Sequence, residues 1–354
     1  MKIWEHPLYR EDIEKIASLP LPWDKLKDSC MLISGGSGLI GSFLTDLVMY
    51  KNRTDSLNCR VKVIGRSMQK LQSRFEVYQE DPLLETIAQD VNQPLNPEMV
   101  GTNIDYIFHL ASNTHPLQYS TDPIGTVTTN IIGTNNLLDY AAKTGICRFI
   151  FASSVEIYGE NRGDCEYFTE DYCGYIDCNT MRAGYPESKR AGEALCQAYI
   201  KQRGLDIVIP RLSRTYGPSM LQSDSKAISQ FIKKGVVGED IILKSEGTQF
   251  YSYSYVSDAV SGILYCLFYG KCGEAYNIAD KASDITLRDL AKIIADEAGT
   301  KVVFELPEET ERAGYSKATK AVLDSSKLQS LGWKAFYKIQ SGLVRTVSVL
   351  KDSM

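Results

Sequence analysis

A tyrosine and a lysine stand four residues apart in the segment RAGYPESKRAGEALC, residues 182–196. The surrounding residues favour a helix, and residues four apart on a helix share one face. We therefore expect the charge of Lys189 to favour the ionised form of Tyr185, which would make this phenol a proton donor or acceptor near neutral pH. The same spacing also occurs by chance on surface helices, so a catalytic interpretation needs support from other motifs.

A glycine-rich turn follows a short apolar strand in CMLISGGSGLIGSFLTDLVMY, residues 30–50. Gly35, Gly38 and Gly41 lie where the strand ends and a helix begins. Glycine permits a tight turn there and lets a diphosphate approach backbone N–H groups at the positive end of the helix. A second strand, RVKVIGRS, follows at the distance of a βαβ unit, so the arrangement predicts dinucleotide binding.

The residues after the second strand bear on the type of dinucleotide. An acid normally binds the ribose 2′-hydroxyl of NAD there, but this chain has Gly65 followed by Arg66. A guanidinium beside the hydroxyl of Ser67 suits a 2′-phosphate, so the sequence favours NADP over NAD. In the alternative interpretation Arg66 stacks on the adenine. Asp90, after the next strand, is expected to meet the adenine amino group.

Short apolar strands alternate with helical segments over much of the chain, which predicts an α/β fold with a Rossmann-like, doubly wound parallel sheet. From about residue 211 this alternation weakens, and Gly, Pro, Ser and Tyr suggest loops and small elements that form a lid. The predicted parts are an N-terminal extension with a short helix at 1–28, a dinucleotide-binding domain at 29–210 that is regained at about 255–280, and a smaller α/β substrate-binding subdomain at 211–254 and 281–354.

Composition excludes several classes of protein. With 44% hydrophobic and 23% charged residues, the chain is neither disordered nor fibrous, and its net charge of −5 with scattered Lys and Arg argues against nucleic acid as a partner. An apolar segment long enough for a membrane and a signal peptide are both lacking, so a cytoplasmic location is expected. Nine cysteines without a CxxC pair predict reduced thiols. Cys165, Cys173 and Cys178 share one loop, but no histidine is near in sequence, so no metal is predicted.

The glycine turn and the Tyr185–Lys189 pair occur together with further motifs in one order. In this combination the chain resembles the extended short-chain dehydrogenase/reductases of the NAD-dependent epimerase/dehydratase family, which modify nucleotide sugars. The resemblance runs from about residue 29 to the end and is greatest to UDP-glucuronate decarboxylases and dTDP-glucose 4,6-dehydratases. The further motifs are HLASNTHPLQYSTDPIGT, NIIGTNNLL, SSVEIYGE, RTYGPSM, YVSDAV, GEAYNIAD and DSSKLQSLGW.

The resemblance implies roles for individual residues. Ser154 hydrogen-bonds the reacting sugar oxygen, Tyr185 takes a proton from a sugar hydroxyl as hydride leaves the same carbon, and Lys189 also binds the nicotinamide ribose. The resulting keto sugar supports epimerisation, dehydration or decarboxylation. Glu156 is implied as a base or a guide for the sugar, whereas the alternative is a solvated loop acid.

The resemblance also implies two sets of binding residues. The cofactor set is Gly35, Gly38, Leu39, Ile40, Gly41, Arg66, Ser67, Asp90, Val91, Leu110, Ala111, Ser112, Asn130, Tyr185 and Lys189. The substrate set is Ser112, His115, Ser154, Arg214, Lys226 and Tyr251.

Several positions depart from the family pattern. Val155 stands where 4,6-dehydratases have the acid that protonates the leaving hydroxyl, which argues against dehydration. The C-terminal region lacks the Arg-Pro-Asp-like stretch of decarboxylases, which argues less strongly against decarboxylation. Arg214 replaces an expected asparagine, and Tyr251 replaces an expected arginine. The positive charge is therefore expected on the opposite side of the site from its usual place in the family. With Lys226 nearby a diphosphate is still expected to bind; alternatively, Arg214 is a structural residue in a salt bridge.

The leading interpretation is an enzyme that oxidises a nucleotide-linked sugar transiently and then decarboxylates, dehydrates or epimerises it. One alternative is an NADPH-dependent reductase of a nucleotide-linked keto sugar or keto-alditol, which Arg66 favours and which needs only Ser154, Tyr185 and Lys189. A second is a non-catalytic dinucleotide sensor, although a sensor has no use for these acid/base residues. The resemblance also implies a homodimer formed through two helices, one of which carries Tyr185.

Overall fold

The computed structural model describes residues 1–114, 116–305 and 318–353. Its strands are β1 (Cys30–Ser34), β2 (Arg60–Gly65), β3 (Leu84–Ala88), β4 (Tyr106–His109), β5 (Arg148–Phe151), β6 (Ser153–Ser154), β7 (Ile207–Leu212), β8 (Arg214–Tyr216), β9 (Ile241–Leu243), β10 (Phe250–Tyr255), β11 (Ala275–Ile278), β12 (Asp284–Thr286), β13 (Val302–Phe304) and β14 (Lys320–Ala321). Its α-helices are α1 (Pro7–Ala17), α2 (Leu39–Asp55), α3 (Met68–Arg74), α4 (Pro97–Val100), α5 (Pro116–Thr121), α6 (Pro123–Thr144), α7 (Gly184–Arg203), α8 (Ala227–Val237), α9 (Val256–Tyr269), α10 (Leu287–Ala298), α11 (Ser326–Gln329) and α12 (Ile339–Ser353).

The main sheet has the strand order β3-β2-β1-β4-β5-β7-β11, and the short strand β6 also pairs with β7. All of these pairs are parallel. The order reverses between β1 and β4, so the connections leave the sheet in opposite directions there and a crevice forms at the carboxyl ends of the two strands. The predicted doubly wound parallel sheet is confirmed.

Helices cover both faces of this sheet because successive side chains of a strand point to opposite sides. All five residues of β1 are buried. Met31 and Ile33 belong to the core cluster that contains Phe43 of α2, whereas Leu32 belongs to the cluster that contains Leu137 of α6. A short apolar run without alternation is therefore what a strand buried on both faces requires.

The serine- and tyrosine-rich segment FYSYSY is strand β10, the centre of a second, smaller sheet. It pairs with β12, β14 and β8, while β9 and β13 form a separate pair. The sequence analysis expected loops and small elements in this region. A strand forms because tyrosines pack on one side of it while Ser252 and Ser254 hydrogen-bond Asp284 and Ser213 on the other.

The N-terminal extension packs against the rest of the chain through α1. The Tyr9 hydroxyl donates a hydrogen bond to Asp46 of α2 over 2.6 Å. The carboxylate of Asp12 accepts a hydrogen bond from Tyr255 over 2.6 Å and forms an ion pair with Arg345 of α12 over 2.7 Å. The first helix of the chain thus contacts both the glycine-turn helix and the C-terminal helix.

Neither a membrane-spanning helix nor a metal-binding cluster is found among the described residues. No helix in residues 1–114, 116–305 and 318–353 is long and apolar enough to cross a membrane. No group of three His, Cys, Asp or Glu side chains in these ranges is arranged to hold a metal ion.

Candidate functional site

A cavity of about 1010 Å³ opens at the carboxyl ends of the central strands. It is lined by residues that directly follow β1, β4, β5 and β7, namely Gly35, Leu110, Ala152 and Ser213. The cavity therefore lies in the crevice that the strand order creates, and it continues between the main sheet and the smaller sheet that contains β10.

The glycine turn forms one wall of the cavity, and its backbone requires glycine. Gly35 has φ +70°, and a Cβ atom there would lie 2.7 Å from the backbone nitrogen of Ala111. A Cβ atom on Gly41 would lie 2.6 Å from the carbonyl oxygen of Gly35. Gly38 precedes the first turn of α2 and has no side-chain cap, so the positive end of this helix faces the cavity without a competing side chain. These features fit the diphosphate of a dinucleotide.

Of the residues predicted to surround the adenosine half of the cofactor, Arg66 and Asp90 line the cavity and Ser67 does not. Arg66 is exposed and lines the cavity, as does Asp90, whose carboxylate accepts a hydrogen bond from the Asn92 backbone over 2.9 Å. Ser67 does not line the cavity; its hydroxyl caps α3 by accepting a hydrogen bond from the backbone of Lys70 over 3.3 Å. The other predicted cofactor residues that line the cavity are Leu39, Ile40, Val91, Leu110, Ala111 and Ser112.

Asn130 is buried beneath the cavity and links two parts of its wall. Its side-chain oxygen accepts a hydrogen bond from Ser112 over 2.7 Å, and its nitrogen donates one to Ser188 over 2.9 Å. Ser188 in turn donates to the carbonyl oxygen of Tyr185. Asn130 therefore positions Ser112 and the first turn of α7 without lining the cavity itself.

Tyr185 lines the cavity with only 6% of its surface exposed. Burial, followed by the negative charge of Glu156, raises the pKa of Tyr185, while hydrogen bonds with Ser154 and Ser112 and the charge of Arg182 act to lower it. The expectation that this phenol has a lowered pKa is therefore wrong. Removal from water disfavours the phenolate more than the neighbouring donors favour it.

Lys189 shares the cavity wall with Tyr185, and its ammonium group donates a hydrogen bond to the carbonyl oxygen of Ala152 over 2.8 Å. Burial lowers the pKa of Lys189 to about 8. Behind it, burial and then the charge of Lys189 lower the pKa of His109, whose ring bridges Ser34 and Thr134. The end of β5 and the start of α7 thus fix the direction of the lysine side chain.

Glu156 forms an ion pair that the sequence analysis did not foresee. One terminal nitrogen of Arg182 lies 2.7 Å from each oxygen of its carboxylate, and the Glu156 side chain is 23% exposed. Arg182 also lies over the ring of Tyr119 at 4.7 Å, and Tyr119 is stacked on Tyr185 with ring centroids 5.0 Å apart. Glu156 is therefore not a freely solvated loop acid but part of the wall around Tyr185.

Arg182 and Tyr119 are the functional candidates that sequence reasoning missed. Arg182 stands three residues before Tyr185, just ahead of the positive end of α7, where a cation is unfavourable unless an acid compensates it. That position was a usable signal. Tyr119 gave none, because α5 lies far from α7 in sequence and nothing local indicates that the two rings stack.

The predicted substrate residues lie at the other side of the cavity. The Arg214 guanidinium is 3.5 Å from the ring centroid of Tyr251, and it makes no ion pair with any residue that the structure describes. This contradicts the alternative of a salt-bridged structural arginine. Lys226 lines the cavity and pairs with Asp224 over 2.9 Å. The prediction for His115 lies outside the described residues.

In sequence and fold the chain is similar to known enzymes that act on nucleotide sugars. The model of the NAD dependent epimerase/dehydratase family matches residues 31–279. UDP-glucuronic acid decarboxylase 1 from Xenopus tropicalis is 30% identical over 324 residues, which cover 92% of this chain and 72% of that protein. A double mutant of a dTDP-glucose 4,6-dehydratase from Streptomyces venezuelae, solved with NAD bound, is 26% identical with a TM-score of 0.77, covering 90% of this chain and 96% of the other.

A third comparison concerns the fold alone. UDP-glucuronic acid 4-epimerase from Bacillus cereus, solved in complex with UDP-glucuronic acid and NAD, has a TM-score of 0.77 but is only 22% identical. The match covers 91% of this chain and 99% of that chain.

Proposed function

The chain belongs to the NAD-dependent epimerase/dehydratase family, and from this premise we propose that it oxidises a nucleotide-linked sugar transiently and then modifies it. The observation that carries the proposal is that Ser154, Glu156, Tyr185 and Lys189 line one cavity together with the glycine turn. A bound nicotinamide dinucleotide supplies the acceptor for hydride. A binding protein without turnover has no need for this acid/base set.

Tyr185 is the group that we propose moves the proton of the sugar hydroxyl. Its pKa is raised by burial, so its phenolate binds a proton strongly, and the hydroxyl that forms can return this proton at the end of the reaction. Hydrogen bonds with Ser154 and Ser112 favour the phenolate and so make proton uptake possible at the start. Ser154 also orients the sugar oxygen towards Tyr185.

The step after oxidation distinguishes the possible reactions. A ketone at one carbon weakens the bond to a carboxylate one carbon further on, so carbon dioxide can leave while the electron pair is delocalised into the ketone. Val155, buried beside Glu156, has no proton to give to a leaving hydroxyl, which disfavours dehydration. We therefore propose decarboxylation or epimerisation of a nucleotide-linked uronic acid. Glu156 would position the sugar for decarboxylation, or accept the proton on the carbon next to the ketone in epimerisation.

The test is mass spectrometry of the purified protein with UDP-, dTDP-, GDP- and CDP-sugars, including UDP-glucuronate, with and without added NADPH. A product formed without net consumption of cofactor supports the proposal. A product that requires stoichiometric NADPH instead supports a reductase, the second candidate, which Arg66 at the end of β2 favours. A protein that transforms no nucleotide sugar under either condition contradicts both.

We propose NADP as the preferred dinucleotide, because Gly65 offers no carboxylate to a 2′-hydroxyl and Arg66 offers a positive charge. The structural neighbours from Streptomyces venezuelae and Bacillus cereus were solved with NAD. We propose that Arg66 decides between NAD and NADP in this chain.

We also propose a homodimer formed through α6 and α7. These helices pack side by side, and Ile124 and Ile132 of α6 leave 77% and 44% of their surfaces exposed. A second chain packed on this helix would remove these apolar side chains from water. Sedimentation velocity is expected to show a dimer that Ile124→Glu and Ile132→Glu together dissociate. The cytoplasmic location and the division into two domains remain predictions.

A further inference from the structure

The guanidinium of Arg214 contains a buried donor without an acceptor. Its Nη1 atom has no hydrogen-bond partner among the described residues, although Arg214 lines the cavity. A buried N–H group of a charged side chain without an acceptor is costly, and an acceptor that enters the cavity would relieve this cost. The donor set fits an anionic oxygen, which a guanidinium binds better than a neutral one.

Tyr251 holds this guanidinium in place. The Arg214 guanidinium lies 3.5 Å from the centre of its ring, and the Tyr251 hydroxyl donates a hydrogen bond to the carbonyl oxygen of Ala318 over 2.6 Å. The strands that carry the two residues are paired, with Tyr253 of β10 opposite Arg214 of β8. The ring is buried, with its backbone in strand β10 and its hydroxyl hydrogen-bonded to Ala318. It therefore keeps the arginine in one orientation before any ligand binds.

The position of Arg214 relates it to the reacting groups. Leu212 at the end of β7 is paired with Ser154 of β6, and Arg214 and Glu156 lie two residues beyond these partners. The charge of Glu156 is already balanced by Arg182, whereas Arg214 has no ion pair among the residues the structure describes. Arg214 therefore adds a positive charge without an acid partner to the cavity wall beside the candidate catalytic residues.

We propose that Arg214, held by Tyr251, is the anion-binding site that selects the substrate, and that its ligand is the carboxylate of the nucleotide-linked sugar. This site rests on the proposed function, because the ligand is a part of the proposed substrate. Two groups of such a molecule have this chemistry, the carboxylate of the sugar and the diphosphate. The experiment distinguishes them.

Binding is measured by isothermal titration calorimetry in full-length protein carrying Tyr185→Phe, which slows turnover during the titration. The probes are UDP-glucuronate and UDP-glucose, which differ only in the carboxylate. Arg214→Gln is expected to weaken binding of UDP-glucuronate at least about tenfold, as the loss of a charge-assisted hydrogen bond predicts. Tyr251→Leu is expected to act in the same direction, whereas Tyr251→Phe keeps the ring and is expected to bind nearly normally.

Arg162→Gln is the matched control. Arg162 also lies over a tyrosine, with its guanidinium 3.8 Å from the ring centre of Tyr175, but neither residue lines the cavity. This variant loses the same kind of contact and the same charge, so it is expected to bind both probes like the parent protein. An equal loss in Arg162→Gln would show that the effect of Arg214→Gln is not local, and would contradict the proposed site.

The pattern of losses identifies the ligand group. Weaker binding of UDP-glucuronate alone supports the proposal and assigns the carboxylate to Arg214. An equal loss for both probes places Arg214 on the diphosphate and overturns the proposal that it selects the substrate. Unchanged affinity of both probes in Arg214→Gln overturns this site while leaving the proposed function standing. If the parent protein binds no nucleotide sugar with any of the four bases, the proposed function fails and the site fails with it.

Discussion

One terminal nitrogen of Arg182 contacts both carboxylate oxygens of Glu156 at 2.7 Å. Arg182 thus positions the acid that stands beside Tyr185 in the cavity. An acid held in this way can orient a sugar, and it can accept a proton if a substrate group takes over its contact with the arginine. Substitutions of Glu156 and of Arg182 therefore test whether the acid accepts a proton or only orients the sugar.

If the step after oxidation is removal of the proton on the carbon next to the ketone, Glu156→Gln is expected to spare hydride transfer and to block that step, because the amide keeps its shape but cannot accept a proton. Reduced cofactor and a keto sugar would then accumulate, which stopped-flow absorbance of the reduced nicotinamide detects. Loss of carbon dioxide needs no base and is expected to continue in this variant. Arg182→Lys keeps the positive charge beside Glu156 and is the control that should complete the reaction. A Glu156→Gln variant that neither accumulates an intermediate nor retains reduction would show that Glu156 mainly positions the substrate. A simple reductase would turn over its keto substrate at nearly the normal rate.

Tyr185→Phe is expected to lower the rate by ~10² to 10⁴-fold while cofactor affinity stays nearly unchanged. The ring still stacks on Tyr119, but the transferable proton is gone. Steady-state kinetics and cofactor titration check the two parts. Tyr119→Leu, which keeps the hydroxyl of Tyr185 but removes the stacked ring, should cost less. Near-normal turnover in Tyr185→Phe would refute its assigned role.

Calorimetric titration is expected to show tighter binding of NADP than of NAD, and Arg66→Ala is expected to abolish the difference. The reason is that Arg66 lines the cavity at the end of β2, where Gly65 provides no carboxylate. Ser67→Ala is a useful comparison, because the Ser67 hydroxyl caps α3 and does not line the cavity. Tighter binding of NAD that Arg66→Ala leaves unchanged would contradict the proposed preference.

Lys189→Met is expected to change stability in a pH-dependent way. Burial lowers the pKa of Lys189 to about 8 in the folded chain, so the folded state binds fewer protons than the unfolded state between about pH 8 and the usual lysine value of 10.5. The free energy of unfolding of the parent protein should therefore rise with pH through this window. The whole shift in the pKa of Lys189 corresponds to about 3 kcal/mol.

Urea unfolding of the parent protein and the Met variant at pH 7 and pH 10 measures this effect. The variant should be relatively more stable at pH 7, and its advantage should shrink at pH 10. A difference between the two proteins that stays constant over this range would contradict the lowered pKa.

Arg345→Met is expected to destabilise the protein by about 3–5 kcal/mol, because it leaves the fully buried Asp12 without its ion-pair partner. Urea unfolding measures the loss. The double variant with Asp12→Asn should recover part of it, since the uncompensated charge is then removed. A loss below 1 kcal/mol in Arg345→Met would show that the contact between α1 and α12 contributes little to stability.

Local sequence patterns were sufficient to predict the main sheet and the helices that cover it. The apolar runs, the glycine turn and the regular spacing of helices predict a doubly wound sheet because each depends on residues that are neighbours in sequence. The smaller sheet was harder to predict, since FYSYSY lacks aliphatic residues and becomes a strand only when Ser252 and Ser254 find hydrogen-bond partners far along the chain.

Residue types and spacing along the chain were enough to place Tyr185 and Lys189 on one helix, α7. They also placed the glycine turn at the start of α2. Only the tertiary structure decided what those groups contact. Burial raises the pKa of Tyr185, and Lys189 hydrogen-bonds Ala152. The physical reason is that solvent exposure and contacts between distant segments set the energy of a charge, and neither is written in the spacing of residues along one helix.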